Sequence, residues 1–210
     1  MNPESKTLPV FYIDGIPDVI DTEQQELIRF ININAEASII FIWLSQLRIA
    51  PYSYDFIDNR CHKSPGFIIE NLPALKVNNH FLLAFHIYAF EENSYLVGRY
   101  CDPINTPYNL CLKNLFIEYR LVEHRDKTQL WCKLKGDIRK GLFSKVFFIM
   151  FSVINKIMMT RQLKRIKRLS ERLAEGEIER KTYTFKHNNK ESGLHWWLFC
   201  RRHNCKGLIT

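Results

Sequence analysis

Between Tyr52 and Asn59 the sequence reads YSYDFIDN, with two tyrosines, two aspartates and an asparagine in one short stretch. Hydroxyl, carboxylate and amide groups at that density can orient the polar end of an apolar molecule at a cavity mouth. Gln46 lies one helical turn after Trp43 on the same face and could reach the same cavity. His86 and Tyr88 share one face of a strand. If that face points inward, His86 could transfer protons in an apolar pocket, with Asp55 as the other acid/base candidate. Each group also suits a purely structural role. Asp and Asn cap turns, Tyr hydroxyls tie loops to sheets, Gln46 can satisfy loop backbone, and a core histidine can simply be hydrogen-bonded. Arg99 and Glu118 fit a cross-strand pair.

His195, Cys200, His203 and Cys205 are metal-type ligands, but their spacing matches no known zinc finger and one of their knuckles is too tight. No metal and no cofactor is expected. The sequence holds no G-x-S-x-G, no G-x-x-x-x-G-K and no H-E-x-x-H, so triad hydrolases, phosphate loops and zincins have no support.

These residues need elements to hold them. A strand is expected over 25–33 and a helix over 35–47, where Ile39, Ile40, Trp43, Leu44 and Leu47 recur at helical spacing and Asn34 sits at the N-cap position. Ser64-Pro65 marks the start of a second short helix over 65–71, ended by Pro73. Strand patterns follow over 80–90, 94–101, 108–124 and 128–138, with a polar hairpin turn at Glu123–Lys127. In the last of these, Leu130, Cys132 and Leu134 face inward while Lys133 and Lys135 face out. Residues 141–175 form the longest helix candidate, with Phe143, Val146, Phe147, Met150, Ile154 and Ile157 as an apolar stripe continued by Leu163, Ile166, Leu169 and Leu173. Gly176 is placed to end it. A one-sided antiparallel sheet must cover its apolar face, and only this last helix is large enough to do so.

The chain has 210 residues, 46% hydrophobic and 13% aromatic, enough for one domain with a core and too apolar for a disordered chain. The expected division is a polar lead-in of low order over 1–24, a domain over 25–175 and a basic tail over 176–210. The whole net charge of +8 resides in residues 161–210. Such an end can serve nucleic acid, anionic lipid or an acidic partner, and can equally be a solvated helix face with a basic tail. No motif beyond charge points to nucleic acid. The six cysteines are irregularly spaced and read as reduced thiols, and no signal peptide is visible in the first 30 residues, so a cytoplasmic location is expected. The apolar stretch 142–159 is interrupted by Lys145, Ser152 and Lys156 and reads as a buried helix before a membrane span. Basic residues follow at once, which also fits an interfacial helix.

The stretches IFIWLSQLRIAPYSYDFIDNR (40–60) and SPGFIIENLPALKVNNHF (64–81) resemble the SRPBCC or START-like superfamily, the Bet v 1-like group often labelled polyketide cyclase/dehydrase-like. More narrowly they are similar to a branch with a W-x-W-L-x-Q pattern followed by Y-S-Y-D-x-x-D-N. Trp43, Leu44 and Gln46 match the first part; Tyr52, Ser53, Tyr54, Asp55, Asp58 and Asn59 match the second. Ile42 stands where that branch commonly has an aromatic, Asn78-Asn79 replaces a glycine-containing turn, and 177–210 has no counterpart. The resemblance implies an α+β helix-grip fold: a curved antiparallel sheet wrapped around a long C-terminal helix, with two short helices after the first strand and an apolar cavity inside. It implies a pocket for an apolar molecule; the reading that follows is binding of a hydrophobic small molecule or lipid, with Trp43, Tyr54, Tyr119, Leu121, Met150, Ile154 and Ile157 expected as apolar wall and Gln46, Tyr52 and Asp55 as polar contacts. Two alternatives stand beside it. One is a cyclase, dehydratase or hydrolase using the same cavity. The other is docking to an anionic membrane surface or a partner through the basic helix and tail.

Overall fold

The computed structural model describes residues 8–17, 19–53, 63–82, 85–101, 111–125 and 127–182. Strand β1 (Thr22–Ile33) leads into helix α1 (Ala37–Ser45), which tightens to a 3-10 turn over Gln46–Arg48. Short strands β2 (Ile68–Ile69) and β3 (His80–Phe81) precede β4 (Phe85–Glu91), β5 (Tyr95–Tyr100), β6 (Leu112–His124) and β7 (Lys127–Arg139). Helix α2 (Leu142–Ala174) and strand β8 (Arg180–Lys181) follow. Six strands make one antiparallel sheet in the order β1-β7-β6-β5-β4-β3, and α2 packs on one face of it. This is the α+β helix-grip architecture.

Local chemistry explains the boundaries. The N-cap of α1 is Glu36 in place of Asn34, and its first amide, on Ala37, donates instead to Glu123 at the end of β6 (3.3 Å). Helix α2 ends as a Schellman turn: Gly176 adopts φ +78°, its N–H donates to the Leu173 carbonyl, and the Glu177 N–H donates to that of Arg172. The second short helix expected over 65–71 is not there. Ile68 and Ile69 are buried β-branched residues that pair in parallel with Arg180 and Lys181. A backbone ladder with β8 outweighs the Ser-Pro start signal, since Pro73 leaves room for barely two helical turns.

The two sheet faces are both covered. The inner face presents Leu27, Leu96, Ile117, Tyr119, Leu121, Leu130 and Cys132 to α1 and to the second half of α2. Gly98 belongs to this face because Phe81 lies against it: a Cβ there would sit 2.6 Å from Cδ1 of that ring. The outer face carries a second cluster of Val97, Phe116 and Trp131, capped by Phe11 and Ile13. The lead-in is therefore ordered over 8–17, where a 3-10 turn at Tyr12–Gly15 straps the sheet. Alternation in β7 is as expected, but the strap buries Lys133 and Lys135. Lys133 pairs with Asp14 and with Glu26 (2.9 Å), and Lys135 donates to the Ile13 and Ile16 carbonyls.

Only the second half of helix α2 places fully buried apolar side chains in the core. Met159, Leu163, Ile166 and Leu169 enter the core. Of the stripe expected to be buried, Phe143, Val146, Met150, Ile154 and Ile157 point away from the sheet and are exposed, while Phe147 is partly buried against the core.

Candidate functional site

Five of the residues singled out in the sequence converge at one end of the inner face. Trp43 and Tyr52 meet edge to face, with ring centroids 5.9 Å apart. Tyr52 holds a left-handed backbone (φ +54°), which costs a residue with a Cβ about 1–2 kcal/mol. That geometry aims its ring into the core beside Trp43, with the Arg165 guanidinium 5.7 Å over its face. Gln46 donates from Nε2 to Tyr52 Oη (3.0 Å) and to the Phe67 carbonyl (3.3 Å), and its Oε1 accepts from Ile69 N–H (2.7 Å). Tyr119 O–H donates to Gln162 Oε1, and Gln162 Nε2 donates to the Pro51 carbonyl. Leu121 is buried in the same cluster.

This end is closed. Trp43, Tyr52 and Tyr119 are 0% exposed and Gln46 1%. Burial pushes the Tyr119 phenol and the adjoining Cys132 thiol well above their ordinary values, so both stay protonated in the physiological range. The amide of Gln46 is committed to Tyr52, to the Phe67 carbonyl and to Ile69 of β2. Gln46 and Tyr52, two of the three polar residues expected to meet a ligand, are thus bonded to each other and to the β2 segment, and Tyr119 is bonded to α2. Trp43 differs: its Nε1–H is buried without a hydrogen-bond partner.

Tyr54 and Asp55 lie outside the described residues. Met150, Ile154 and Ile157 are 62%, 54% and 51% exposed on the outward side of α2 and do not wall the interior. His86 is also turned away. It pairs directly with His80 and with Arg99, opposite in register to the Phe81–Phe85 pair, which places it on the outer face. Tyr88 is on that face too, edge to face with Phe116. The inward-facing placement is corrected by the strand phase.

The two imidazoles stand 4.3 Å apart between centroids. Burial, and then the neighbouring His86, lowers His80 from 6.5 to about 4; burial lowers His86 as well. The unfolded chain takes up these protons near 6.5, whereas folded His80 does so only near 4. Their contribution to stability is complete above 6.5 and falls away as pH drops from 6.5 towards 4. Both rings are partly hydrated, so the slope is modest. His80→Asn should flatten this part of a curve of urea midpoint against pH; an unchanged slope would refute the assignment.

Among the described residues, the other end of the inner face is less covered. Phe85 and Tyr100 oppose each other in register, ring centroids 5.6 Å apart, at the strand ends. The β6–β7 register and the Lys145–Glu23 ion pair (3.2 Å) bring the start of α2 to this same end of the sheet. There Phe147, Phe148 and Phe151 turn towards the core cluster but are only half-buried, as are Phe85 and Tyr100. Among them Ser152 is buried, and its Oγ has no hydrogen-bond partner. Phe147 belongs to the apolar stripe visible in the sequence, whereas Phe148 and Phe151 lie off that stripe, and Ser152 shows in the sequence only as an interruption of the apolar stretch. Gln162 was also passed over; a lone Gln in the basic, apolar second half of a helix gives no signal until Tyr119 is seen across from it.

No family model matches the sequence, and no curated protein matches it. Solved structures do. A point mutant of norcoclaurine synthase from Thalictrum flavum, in complex with a transition-state analogue, is 10% identical with a TM-score of 0.49, covering 74% of this chain and 99% of that one. The Zhui aromatase/cyclase from a Streptomyces species is 11% identical with a TM-score of 0.48, covering 72% and 96%. A START superfamily protein from Mycobacterium smegmatis is 10% identical with a TM-score of 0.43, covering 70% and 98%. At such identities no site residue and no activity passes from these proteins to this chain.

Proposed function

We propose that this protein binds an apolar small molecule or lipid chain between the less covered end of the inner sheet face and the first half of α2. One observation carries this reading. Five aromatic side chains that face the core cluster, Phe85, Tyr100, Phe147, Phe148 and Phe151, stay half-buried at this end, whereas the opposite end of the same face is sealed. Apolar groups directed inward yet still reached by water gain by taking up an apolar occupant. Ser152 Oγ supplies a polar contact in an otherwise apolar wall. Nothing among the described residues favours a catalytic use of this interior, since His86 faces the other side of the sheet.

The test is a titration of delipidated protein with N-phenylnaphthylamine, followed by competition with oleate. Saturable one-to-one binding is expected, and Phe148→Ala should weaken it about tenfold, the effect of removing one well-buried aromatic contact. Gln46→Glu, at the closed end, should leave the affinity of the folded fraction unchanged. No saturable binding, or equal weakening by both variants, would overturn the assignment.

A further inference from the structure

The first half of α2 has its polarity reversed. Its inward side carries Ser144, Ser152 and Asn155 among the aromatics. Its outward side carries Leu142, Phe143, Val146, Ile149, Met150, Val153, Ile154 and Ile157, which are 50–80% exposed. A helix bathed in water shows the opposite arrangement, and so large a continuous apolar surface on a soluble chain marks an interaction face. The outward side changes character abruptly after Ile157. Steps of three and four residues continue it through Arg161, Lys164, Arg168 and Arg172. One helical face is thus apolar for about 24 Å and cationic for about the next 18 Å, at 1.5 Å per residue.

We propose that this face of α2 docks on an anionic lipid bilayer, with the Phe143–Ile157 stripe entering the interface and the Arg161–Arg172 stripe lying over the headgroups. The inference is independent of the interior site, which uses the opposite side of the helix. Charge selects the occupant. From Leu142 to Ala174 the helix has eight Lys or Arg and one acid, Glu171. Anionic headgroups complement that stretch. Residues 183–210 are themselves basic, with five Lys or Arg against Glu191, and a second copy would bring the same cationic stretch to the contact. By length and composition α2 passes as a span. Its inner side, however, is fastened to the sheet, and about 24 Å of apolar face falls short of a hydrocarbon core of about 30 Å. Lying in the interface plane meets both conditions.

The experiment is flotation of the full chain with vesicles of phosphatidylcholine alone or mixed with phosphatidylserine. The wild type should float with the phosphatidylserine vesicles and be released as salt rises. Lys164→Glu/Arg168→Glu should lower affinity for those vesicles about 25-fold or more, at roughly fivefold per basic residue lost. Met150→Glu/Ile154→Glu should abolish flotation. Both variants alter exposed side chains, so circular dichroism and the melting temperature should stay as in the wild type. Three outcomes would overturn the proposal: no flotation of the wild type, equal flotation on uncharged vesicles, or flotation only after removal of 183–210, which makes the tail the occupant. A wild-type dimer dissociated by Met150→Glu/Ile154→Glu would equally overturn it in favour of a second copy.

Discussion

Replacing Gln162 with leucine should destabilise the protein by about 2–4 kcal/mol, read as a lower urea midpoint with an unchanged m value. Gln162 links the phenol of Tyr119 on β6 to the Pro51 carbonyl in the loop after α1. Leucine keeps most of the volume, so the cost is chemical: a buried hydroxyl and a buried carbonyl each lose a partner, at about 1–3 kcal/mol apiece. Cys132 adjoins Tyr119, but a thiol is a weak acceptor and only softens the loss. Tyr119→Phe alone should cost about 1–3 kcal/mol, because it strands Gln162 Oε1 instead. The double variant strands only the Pro51 carbonyl. It should therefore be no less stable than Gln162→Leu alone, a strongly non-additive result. Additive losses would mean that Tyr119 and Gln162 are not partners in solution.

The same network shows why the polar candidates were legible in part. The stretch 43–52 was recognisable because Trp43, Gln46 and Tyr52 are of types and spacings that only a specific environment requires. That environment is the junction of four elements. Arg48 belongs to it as well: it donates to the carbonyls of Ser45, Pro73 and Ala74, and burial lowers its guanidinium to about 10, still charged at neutral pH. Sequence patterning distinguishes poorly between a side chain that awaits a ligand and one that awaits its own backbone. The difference lies in contacts such as Ile69 N–H on Gln46 Oε1, from a residue far along the chain. Strand limits were easier to read, since alternation in β6 and β7 reports directly on a two-sided sheet.

For α2 the pattern was present but the phase was missed. Ile157 and Leu163 are separated by six residues, which at 100° per residue leaves them about 240° apart around the axis. Phe143, Val146, Phe147, Met150, Ile154 and Ile157 centre on one side of the helix. Leu163, Ile166, Leu169 and Leu173 centre on another, about 145° away. They are two stripes on nearly opposite faces; the second is core, and of the first only Phe147, at its edge, packs against the core. Here the join at Thr160–Gln162 separates the part of the helix with fully buried leucines and isoleucines from the part whose outward apolar side is exposed. The histidines went astray for a related reason: the parity of His86 is set by the irregularity between Ile87 and Ala89 and by pairing with β3, and neither is visible locally.

The strap over the outer face leads to the other large effect. Ile13 is 0% exposed, held against Phe116, Trp131 and Val97, and its amide donates to Glu118 Oε2 at 3.0 Å. Ile13→Ala should cost about 2–4 kcal/mol, the usual range for emptying an aliphatic core site. Ile13→Asp should exceed about 4 kcal/mol, because it places a second carboxylate beside buried Glu118, which Arg120 neutralises at 2.8 Å. Lys135 offers no rescue, since its ammonium is occupied by the Ile13 and Ile16 carbonyls on the far side of the turn. The contrast with Lys133→Met is the control. That change removes an ion pair whose acids, Asp14 and Glu26, are both partly exposed and can rehydrate, so it should fall within about 1 kcal/mol of the wild type. If Ile13→Asp instead melts with the wild type, the strap is not docked in solution. The outer cluster would then be an open surface of Val97, Phe116 and Trp131, and Lys133 and Lys135 would be ordinary solvated lysines.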